Sequence, residues 1–179
     1  MNKVLVLDFG GQYDQLIARR VRELGVYSEI KAYSSITPEE IASSGYNAVI
    51  FTGGPNSVYL ETSPHYDPVL LDMGIPILGI CYGDQLLNWM AGGTVESAGA
   101  SSEYGKTELT LDPAGGEADM IFDGVPGTSI VWMSHTDHVD ELPAGFVNLA
   151  HTGSCPSAAM ADPARELYGV QFHPEVTHT

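Results

Sequence analysis

The sequence is poor in basic residues and in cysteine, and its apolar runs are short. Its 179 residues include 7 Lys and Arg against 23 Asp and Glu, which gives a formal net charge of −16. Such a charge repels phosphate backbones and anionic lipids, so neither nucleic acid nor a membrane is a predicted partner. Two widely separated cysteines predict neither a disulfide framework nor a zinc site, and no metal site is expected.

Length and composition are those of one globular domain. Hydrophobic residues make up 44% of the chain and charged residues 17%, so residues 1–179 are predicted to fold as a single domain around their own core. A second hypothesis is that this domain was excised from a longer, bifunctional chain. The first residues contain one lysine and a short apolar run, which is too little for a signal peptide, and we therefore expect a cytoplasmic protein.

Apolar runs and helical periodicity alternate along the first half of the chain. The predicted strands are residues 4–7, 28–32, 47–52 and 76–80. The predicted helices are residues 16–24, a short segment opening at 37–40, residues 67–74 and residues 83–91. This alternation predicts an α/β fold, a doubly wound and mostly parallel sheet with helices on both faces. After residue 93 the pattern changes, and extra short antiparallel strands are expected in the C-terminal half.

Cys81 lies between an apolar strand and an amphipathic helix, with Gly79 and Gly83 two positions to either side. This pattern is typical of a nucleophile elbow, in which small flanking residues let the central side chain stand exposed above the sheet. The positive end of the helix dipole favours the thiolate at such a position. The alternative is that Cys81 is a small buried hydrophobic residue at the end of a strand.

His173 follows the apolar run 168–172, and Glu175 lies two residues further on, across a proline. A thiolate nucleophile needs a base that can also protonate the leaving group, and His173 is the histidine best placed for this. Glu175 could accept a hydrogen bond from the second ring nitrogen and orient the imidazole. The alternative is that this His-Pro-Glu segment is a structural turn.

A glycine turn at residues 52–57 directly follows the buried strand 47–52. Such a turn can point backbone N–H groups at a developing oxyanion, and the amides of Gly54 and Tyr82 are the candidates. The alternative is an ordinary glycine turn. Phosphate binding is less favoured, because no lysine and no basic helix follow.

Three of these segments together resemble the class I (triad) glutamine amidotransferases, in the order and spacing of that family. They are residues 52–55 (Thr-Gly-Gly-Pro), residues 79–85 around the cysteine, and residues 172–175 (Phe-His-Pro-Glu). The resemblance covers essentially the whole chain and implies a flavodoxin-like fold. Within the family, the chain looks most like the glutaminase part of the GMP synthases, through residues 7–13, 19–23, 131–135 and 169–179.

The resemblance also implies roles for eight residues. It implies a catalytic triad of Cys81, His173 and Glu175, an oxyanion hole made by the backbone of Gly54 and Tyr82, and substrate contacts from Gln85, Ser134 and His135. The implied substrate is L-glutamine, which is hydrolysed through a thioester. The ammonia would pass to a GMP synthetase (ATP pyrophosphatase) subunit or downstream domain, which aminates XMP. ATP and Mg are expected only there, and no cofactor is expected in this chain.

Asp84 departs from the GMP synthases, which usually carry Met at the matching position. An inward Asp84 carboxylate would oppose ionisation of Cys81, whereas an outward one would favour the helix dipole. Two alternative functions therefore stay open. One is the amidotransferase component of another pathway, such as anthranilate, aminodeoxychorismate or carbamoyl phosphate synthesis. The other is a catalytically impaired regulatory or binding module of the same fold.

Overall fold

The computed structural model describes residues 1–177 and 179. Its strands are β1 (Lys3–Asp8), β2 (Tyr27–Ala32), β3 (Ala48–Phe51), β4 (Ile77–Ile80), β5 (Thr94–Ser97), β6 (Glu103–Leu111), β7 (Thr128–His135), β8 (Asp137–Glu141), β9 (Val147–His151), β10 (Ala159–Asp162) and β11 (Leu167–Val170). Its α-helices are α1 (Asp14–Glu23), α2 (Pro38–Ser43) and α3 (Tyr82–Met90). Short 3-10 helices cover Tyr33–Ser35, Pro68–Asp72, Gly99–Ser101 and Gly116–Phe122.

The main sheet has nine strands in the order β2, β1, β3, β4, β11, β10, β9, β6, β7. The first five strands of this order run parallel to one another, and each later pairing is antiparallel. The predicted mixture of a parallel sheet with antiparallel strands in the C-terminal half is therefore confirmed. A small second sheet formed by β5 and β8 was not predicted.

Helices cover both faces of the parallel region, as the alternating pattern predicts. Leu5 of β1 packs in the same apolar cluster as Leu86 of α3. The next residue of the strand, Val6, points to the other face and packs in the cluster that contains Ile17 of α1. Because successive side chains of a strand alternate between faces, one short strand contributes to both halves of the core.

The helix predicted over residues 67–74 is instead a 3-10 helix at Pro68–Asp72. The Asp67 side chain accepts a hydrogen bond from the Val69 backbone, as a helix cap does. The backbone bonds then join residues three apart, and Gly74 with a φ of 75° ends the segment before an α-helical ladder can form. The short helix predicted to open at residues 37–40 is α2, and Thr37 and Glu40 form its capping box.

Four parallel strands end at one edge of the sheet and position the site described below. β1, β3, β4 and β11 are neighbours, and the last residue of β4, Ile80, pairs with the last residue of β11, Val170. The segments that follow these strands therefore meet at the same edge, where sites of α/β proteins gather. Within the described part of the chain, no helix is long and apolar enough to cross a membrane.

Candidate active site

Cys81 occupies a sharp turn between β4 and α3. Its φ of 55° and ψ of −109° lie outside the conformations that L-amino acids usually adopt. The turn closes tightly because a Cβ atom on Gly79 would lie 2.4 Å from the carbonyl oxygen of Gly83. A Cβ atom on Gly83 would in turn lie 2.4 Å from the carbonyl oxygen of Phe51 in β3. The two glycines therefore permit the elbow geometry that the sequence pattern predicts.

His173 and Glu175 lie beside this turn and are both buried. The Nδ1 atom of His173 donates a hydrogen bond to Oε1 of Glu175 at 2.7 Å. This bond leaves Nε2 as the ring nitrogen that is available for chemistry. Arg20 of α1 holds the same segment in place, because its Nε donates to the backbone oxygen of Glu175 at 3.0 Å.

The environment of His173 favours its protonated form. Burial alone would lower its pKa, but hydrogen bonds to the Cys81 sulfur and the Glu175 carboxylate outweigh burial and raise the pKa to about 10. At neutral pH the arrangement therefore favours an imidazolium next to the cysteine. An imidazolium in contact with sulfur favours a thiolate nucleophile.

The glycine turn after β3 packs between the turn after β1 and the cysteine. The Thr52 hydroxyl accepts a hydrogen bond from the backbone N–H of Phe9 at 2.9 Å and donates to the carbonyl oxygen of Gly53. A Cβ atom on Gly54 would lie 2.7 Å from the carbonyl oxygen of Phe9. On its other side, a Cβ atom on Gly53 would meet both His173 and Cys81 within 3.5 Å. This turn is therefore held against the two reactive side chains.

All eight residues proposed from the sequence line one cavity of about 320 Å³. A cavity of this volume belongs to the size class of small-molecule sites. The residues that line it are Gly10, Gly11, Gln12, Tyr13, Gly53, Gly54, Pro55, Asn56, Ser57, Cys81, Tyr82, Gln85, Ser134, His135, Thr136, Asp137, His173 and Glu175. The parallel strands thus bring together segments that are distant in the sequence.

Gln85 and residues 134–137 form one wall of the cavity. The Nε2 atom of Gln85 donates to the backbone oxygen of Asp137 at 2.9 Å. The Cys81 sulfur lies 3.6 Å from the backbone oxygen of Ser134, which can accept a hydrogen bond from the thiol. The structure therefore links this wall both to helix α3 and to the cysteine.

The His135 side chain is buried and engaged in hydrogen bonds. Its Nδ1 donates to the backbone oxygen of Asp137 at 2.8 Å, and its Nε2 lies 2.9 Å from Oε1 of Glu103. The other oxygen of Glu103 accepts a hydrogen bond from the Thr152 hydroxyl. The His135 ring thus joins the cavity wall at Asp137 to the buried carboxyl of Glu103.

Glu103, His135 and Cys155 are buried together and have side chains of types that bind metal ions, with the ligand atoms within 4.8 Å of one another. In this structure Glu103 and His135 contact each other directly, and the Cys155 sulfur lies 3.4 Å from the backbone oxygen of Ser157. Burial, together with the carboxyls of Glu103 and Asp84, raises the pKa of Cys155 to about 12. Metal binding requires the thiolate, so these residues fit a hydrogen-bonded cluster better than a metal centre.

Asp84 points inward. Its side chain is 1% exposed, and within the described residues neither carboxyl oxygen has a hydrogen-bond partner. The carboxyl lies against β11, where a Cβ atom on Gly169 would be 2.1 Å from Oδ1. Burial raises the pKa of Asp84 well above its usual range, which favours the neutral acid. In its neutral form an inward Asp84 would add no negative charge to the site and would not oppose a thiolate at Cys81.

Two residues in contact with the side chains of Cys81 and His173 were not identified from the sequence. The Tyr13 ring packs edge-on against the His173 ring, with centroids 5.5 Å apart. Gln171 is fully buried, and its Nε2 donates to the Cys81 sulfur at 3.6 Å. A polar amide inside the apolar run 168–172, two positions before the histidine, is a signal that could have identified Gln171.

Comparison with known proteins relates the chain to a protein family. The family model for class-I glutamine amidotransferases matches residues 5–179. The chain is 53% identical to a glutamine-hydrolysing GMP synthase of Clostridium perfringens and 55% identical to one of Heliobacterium modesticaldum, over 176 residues in each case. Each alignment covers 98% of this chain and 33% of the relative. The chain thus spans about one third of the length of these curated relatives.

Solved structures show the same fold. A Thermoplasma acidophilum protein assigned to GMP synthase superposes with a TM-score of 0.83 at 32% identity, covering 100% of this chain and 87% of that protein. A glutamine amidotransferase of Thermotoga maritima superposes with a TM-score of 0.79 at 22% identity, covering 98% and 76% of the two chains. From the family match over nearly its whole length and these likenesses, the chain belongs to the class-I glutamine amidotransferase family.

Proposed function

We propose that this domain hydrolyses L-glutamine to glutamate and ammonia through a thioester on Cys81. The observation that carries the proposal is the contact of His173 with both the Cys81 sulfur and the Glu175 carboxylate, within one cavity. A nucleophile, a base and an orienting carboxylate are the three parts of a catalytic triad. Membership of the amidotransferase family supports glutamine as the substrate.

In the first half of the proposed reaction, the Cys81 thiolate attacks the side-chain amide carbon of glutamine. Negative charge develops on the amide oxygen, where the backbone N–H groups of Gly54 and Tyr82 stabilise it. The C–N bond then breaks, and the His173 imidazolium donates its proton to the departing nitrogen, which leaves as ammonia. The products of this half are ammonia and a thioester between glutamate and Cys81, with His173 neutral.

In the second half, neutral His173 removes a proton from a water molecule that attacks the thioester carbon. The oxyanion forms again in the same place, and the C–S bond breaks to give the side-chain carboxylic acid, which loses its proton to solvent as glutamate. Cys81 leaves as the thiolate while His173 holds the proton, so the starting ion pair is restored. Glu175 stabilises the imidazolium whenever it forms and keeps Nε2 directed at the reacting atoms.

We further propose that Gln85 and the backbone of Ser134 and His135 bind the amino-acid end of glutamine. These residues line the cavity, and the contact between the Cys81 sulfur and the Ser134 carbonyl keeps this wall close to the nucleophile. A wall held by the Gln85, His135 and Glu103 hydrogen bonds is preorganised, which reduces the entropic cost of binding.

The proposed acceptor of the ammonia is a synthetase that uses ATP and Mg to aminate XMP to GMP in the cytoplasm. Curated relatives that are 53% and 55% identical carry the name glutamine-hydrolysing GMP synthase and are about three times as long as this chain. The synthetase function would therefore reside in a partner subunit or in a downstream domain. We propose no cofactor for the glutaminase half-reaction itself.

The test is ammonia release from glutamine, with and without a GMP synthetase, ATP, Mg and XMP. We expect release that the complete mixture stimulates and that Cys81→Ala abolishes, while Cys155→Ala, the matched control, retains it. Stimulation by another acceptor system, such as the anthranilate, aminodeoxychorismate or carbamoyl phosphate enzymes, would instead assign a different pathway. No release under any of these conditions would indicate a disabled site and contradict the proposal.

A further inference from the structure

Two buried amide side chains connect the cavity wall to the cysteine sulfur. Gln171 follows β11 and is fully buried, and its backbone N–H is held by the carbonyl oxygen of Ala158 at 2.9 Å. Its side chain lies between Cys81 and Gln85: Nε2 is 3.6 Å from the sulfur, and Oε1 is 3.0 Å from Nε2 of Gln85. Because sulfur is larger than oxygen, 3.6 Å is a hydrogen-bonding distance for this pair.

The chemistry of the neighbours determines which end of each amide faces which group. The backbone oxygen of Asp137 is only an acceptor, so Gln85 must direct its NH₂ group toward it. The other hydrogen of that NH₂ group points at Gln171, which must therefore present its oxygen. Gln171 is left with its NH₂ group directed at the Cys81 sulfur. An amide flip at either residue would put two donors or two acceptors face to face.

We propose that Gln171 is a catalytic residue that stabilises the Cys81 thiolate through its side-chain N–H, in an orientation fixed by Gln85 and the Asp137 carbonyl. The inference rests on the proposed function, because it assumes that Cys81 reacts as a thiolate. A thiolate accepts a hydrogen bond more strongly than a thiol, so the N–H donor favours the ionised form. Gln171 is neutral, and it therefore does not compete with the thiolate for a proton.

Gln171 opposes the effect of another contact on the same sulfur. The Ser134 carbonyl, 3.6 Å away, can only accept, so it stabilises the protonated thiol. His173, with Glu175 behind it, is the titratable group in contact with the sulfur among the described hydrogen bonds, and the carboxyl of Asp84, three residues after Cys81, lies against Gly169. Gln171 thus supplies an uncharged donor to the sulfur in addition to the imidazolium.

The same chain of bonds links the nucleophile to the wall proposed to bind the substrate. Gln85 and Asp137 line the cavity, whereas Gln171 lies behind them, between the wall and the sulfur. A ligand that tightens or displaces Gln85 would therefore change the orientation of the Gln171 amide. Occupancy of the amino-acid subsite and the state of the thiol are expected to be coupled through this one side chain.

The test is the rate of Cys81 alkylation by iodoacetamide as a function of pH, measured without glutamine in the Cys155→Ala background. Gln171→Met keeps the length of the side chain but removes the donor. We expect the midpoint of its pH profile to move upward by about one to two pH units, the usual contribution of a hydrogen bond to a charged group, with the rate recovering at high pH. Gln171→Glu can still accept from Gln85 but brings a carboxylate to the sulfur, so its profile is expected to move further toward high pH.

The matched control is Asn88→Ala. This substitution removes a different fully buried side-chain amide, which lies on α3 and contacts Thr94 rather than the cysteine. It is expected to lower thermal stability without moving the pH profile. A Gln171→Met profile that coincides with the parent would overturn the proposal. If Gln171→Met does not fold, Gln85→Met tests the proposal instead. Loss of the hydrogen bond that orients Gln171 should move the alkylation profile toward high pH. An unchanged profile of Gln85→Met would overturn the proposal.

Alkylation and ammonia release distinguish this inference from the proposed function. A Gln171-dependent alkylation profile in a protein that releases no ammonia from glutamine would contradict the glutaminase proposal and leave the role of Gln171 supported. Ammonia release with kcat unchanged in Gln171→Met would contradict the role of Gln171 and leave the glutaminase proposal standing.

Discussion

Cys81 combines a strained backbone with the side chain that we propose as the nucleophile. A residue other than glycine at positive φ costs about 1–3 kcal/mol, and the surrounding structure must hold it there. Strand β4 and helix α3 supply this constraint on either side of the turn. In this strained turn the sulfur contacts His173, Gln171 and the Ser134 carbonyl simultaneously. A cysteine in ordinary extended backbone at the end of β4 would direct its side chain elsewhere.

The raised pKa of His173 predicts the pH dependence of Cys81 reactivity. The imidazolium persists up to about pH 10, so the alkylation rate of Cys81 is expected to change less than about twofold between pH 7 and 9. In His173→Gln, the rate should instead rise about tenfold per pH unit until an ordinary thiol ionises near pH 8.5. Cys155→Ala is the control and should match the parent. An equally steep rise in the parent protein would contradict the ion pair.

The buried carboxyl of Asp84 predicts a stability that falls as the pH rises. Burial raises the pKa of Asp84 in the folded protein above its value in the unfolded chain, which is about 4, so the folded state binds this proton more tightly and higher pH favours unfolding. The native state should lose up to about 1.4 kcal/mol per pH unit from this group, until the folded carboxyl ionises. Urea denaturation at several pH values should show that the free energy of unfolding of Asp84→Asn increases relative to that of the parent as the pH rises.

A control for that experiment is Asp123→Asn, which removes one exposed carboxylate from the same acidic protein. The difference in free energy of unfolding between Asp123→Asn and the parent should stay nearly constant over the pH range in which the corresponding difference for Asp84→Asn grows. A constant difference for Asp84→Asn as well would show that the carboxyl is ionised in the folded state, and a thiolate at Cys81 would then face a negative neighbour.

At the scale of elements, the site depends on how closely strands and helices approach at one edge of the sheet. Gly11 lies so near the glycine turn after β3 that a Cβ atom would be 2.5 Å from the carbonyl oxygen of Gly53. Gly83 shows the same closeness between α3 and the end of β3. Backbone atoms cannot move aside as a flexible side chain can, so these contacts set the position of the elbow and of the glycine turn together.

Gly83→Ala tests this packing. The added methyl group would lie 2.4 Å from the Phe51 carbonyl oxygen and force α3 away from β3. We expect a loss of about 1–3 kcal/mol in the free energy of unfolding, together with slower alkylation of Cys81. Gly127→Ala is the matched control, since a Cβ atom there meets no atom within 4 Å. Equal stability of the two variants would contradict the close approach.

At the scale of the whole molecule, acidic groups dominate the charge. The formal net charge is −16, and the two arginine pairs of α1, with Glu23, neutralise little of it. Folding brings these charges closer together than they are in the unfolded chain, which opposes the compact state. The buried His173 and Glu175 pair is shielded from salt, whereas the surface charges are screened by it.

Added salt is therefore expected to stabilise the protein. Raising the NaCl concentration from about 0.02 M to about 0.3 M shortens the Debye length and should raise the melting temperature by about 2–5 °C. KCl at equal ionic strength is the control, because screening does not depend on the cation. A melting temperature that stays constant or falls would indicate that repulsion between surface charges does not limit stability.

Local pattern in the sequence determined the alternating elements and the choice of candidate reactive residues. The apolar periodicity predicts β1, β3, β4, α1 and α3 to within a few residues, because side-chain burial repeats over short stretches of chain. The spacing of glycines around Cys81 predicts the elbow for the same reason, and proximity in sequence is enough to pair His173 with Glu175. The prediction of an α-helix at residues 67–74 was wrong, because the segment is a 3-10 helix and its hydrogen-bond type depends on the turn that ends it.

Only the tertiary structure decided the contacts between residues that lie far apart in the chain. Gln171 meets Cys81 across 90 residues because β11 pairs with β4 in parallel, and no periodicity in either segment specifies that neighbour. The sequence likewise did not specify whether the Asp84 side chain points inward or outward. Both faces of the first turn of α3 are compatible with a carboxylate, and only the packing of β11 makes the Asp84 face a buried one. Strand order is a property of the assembled core, and it determines which side chains share the low-dielectric interior with Cys81.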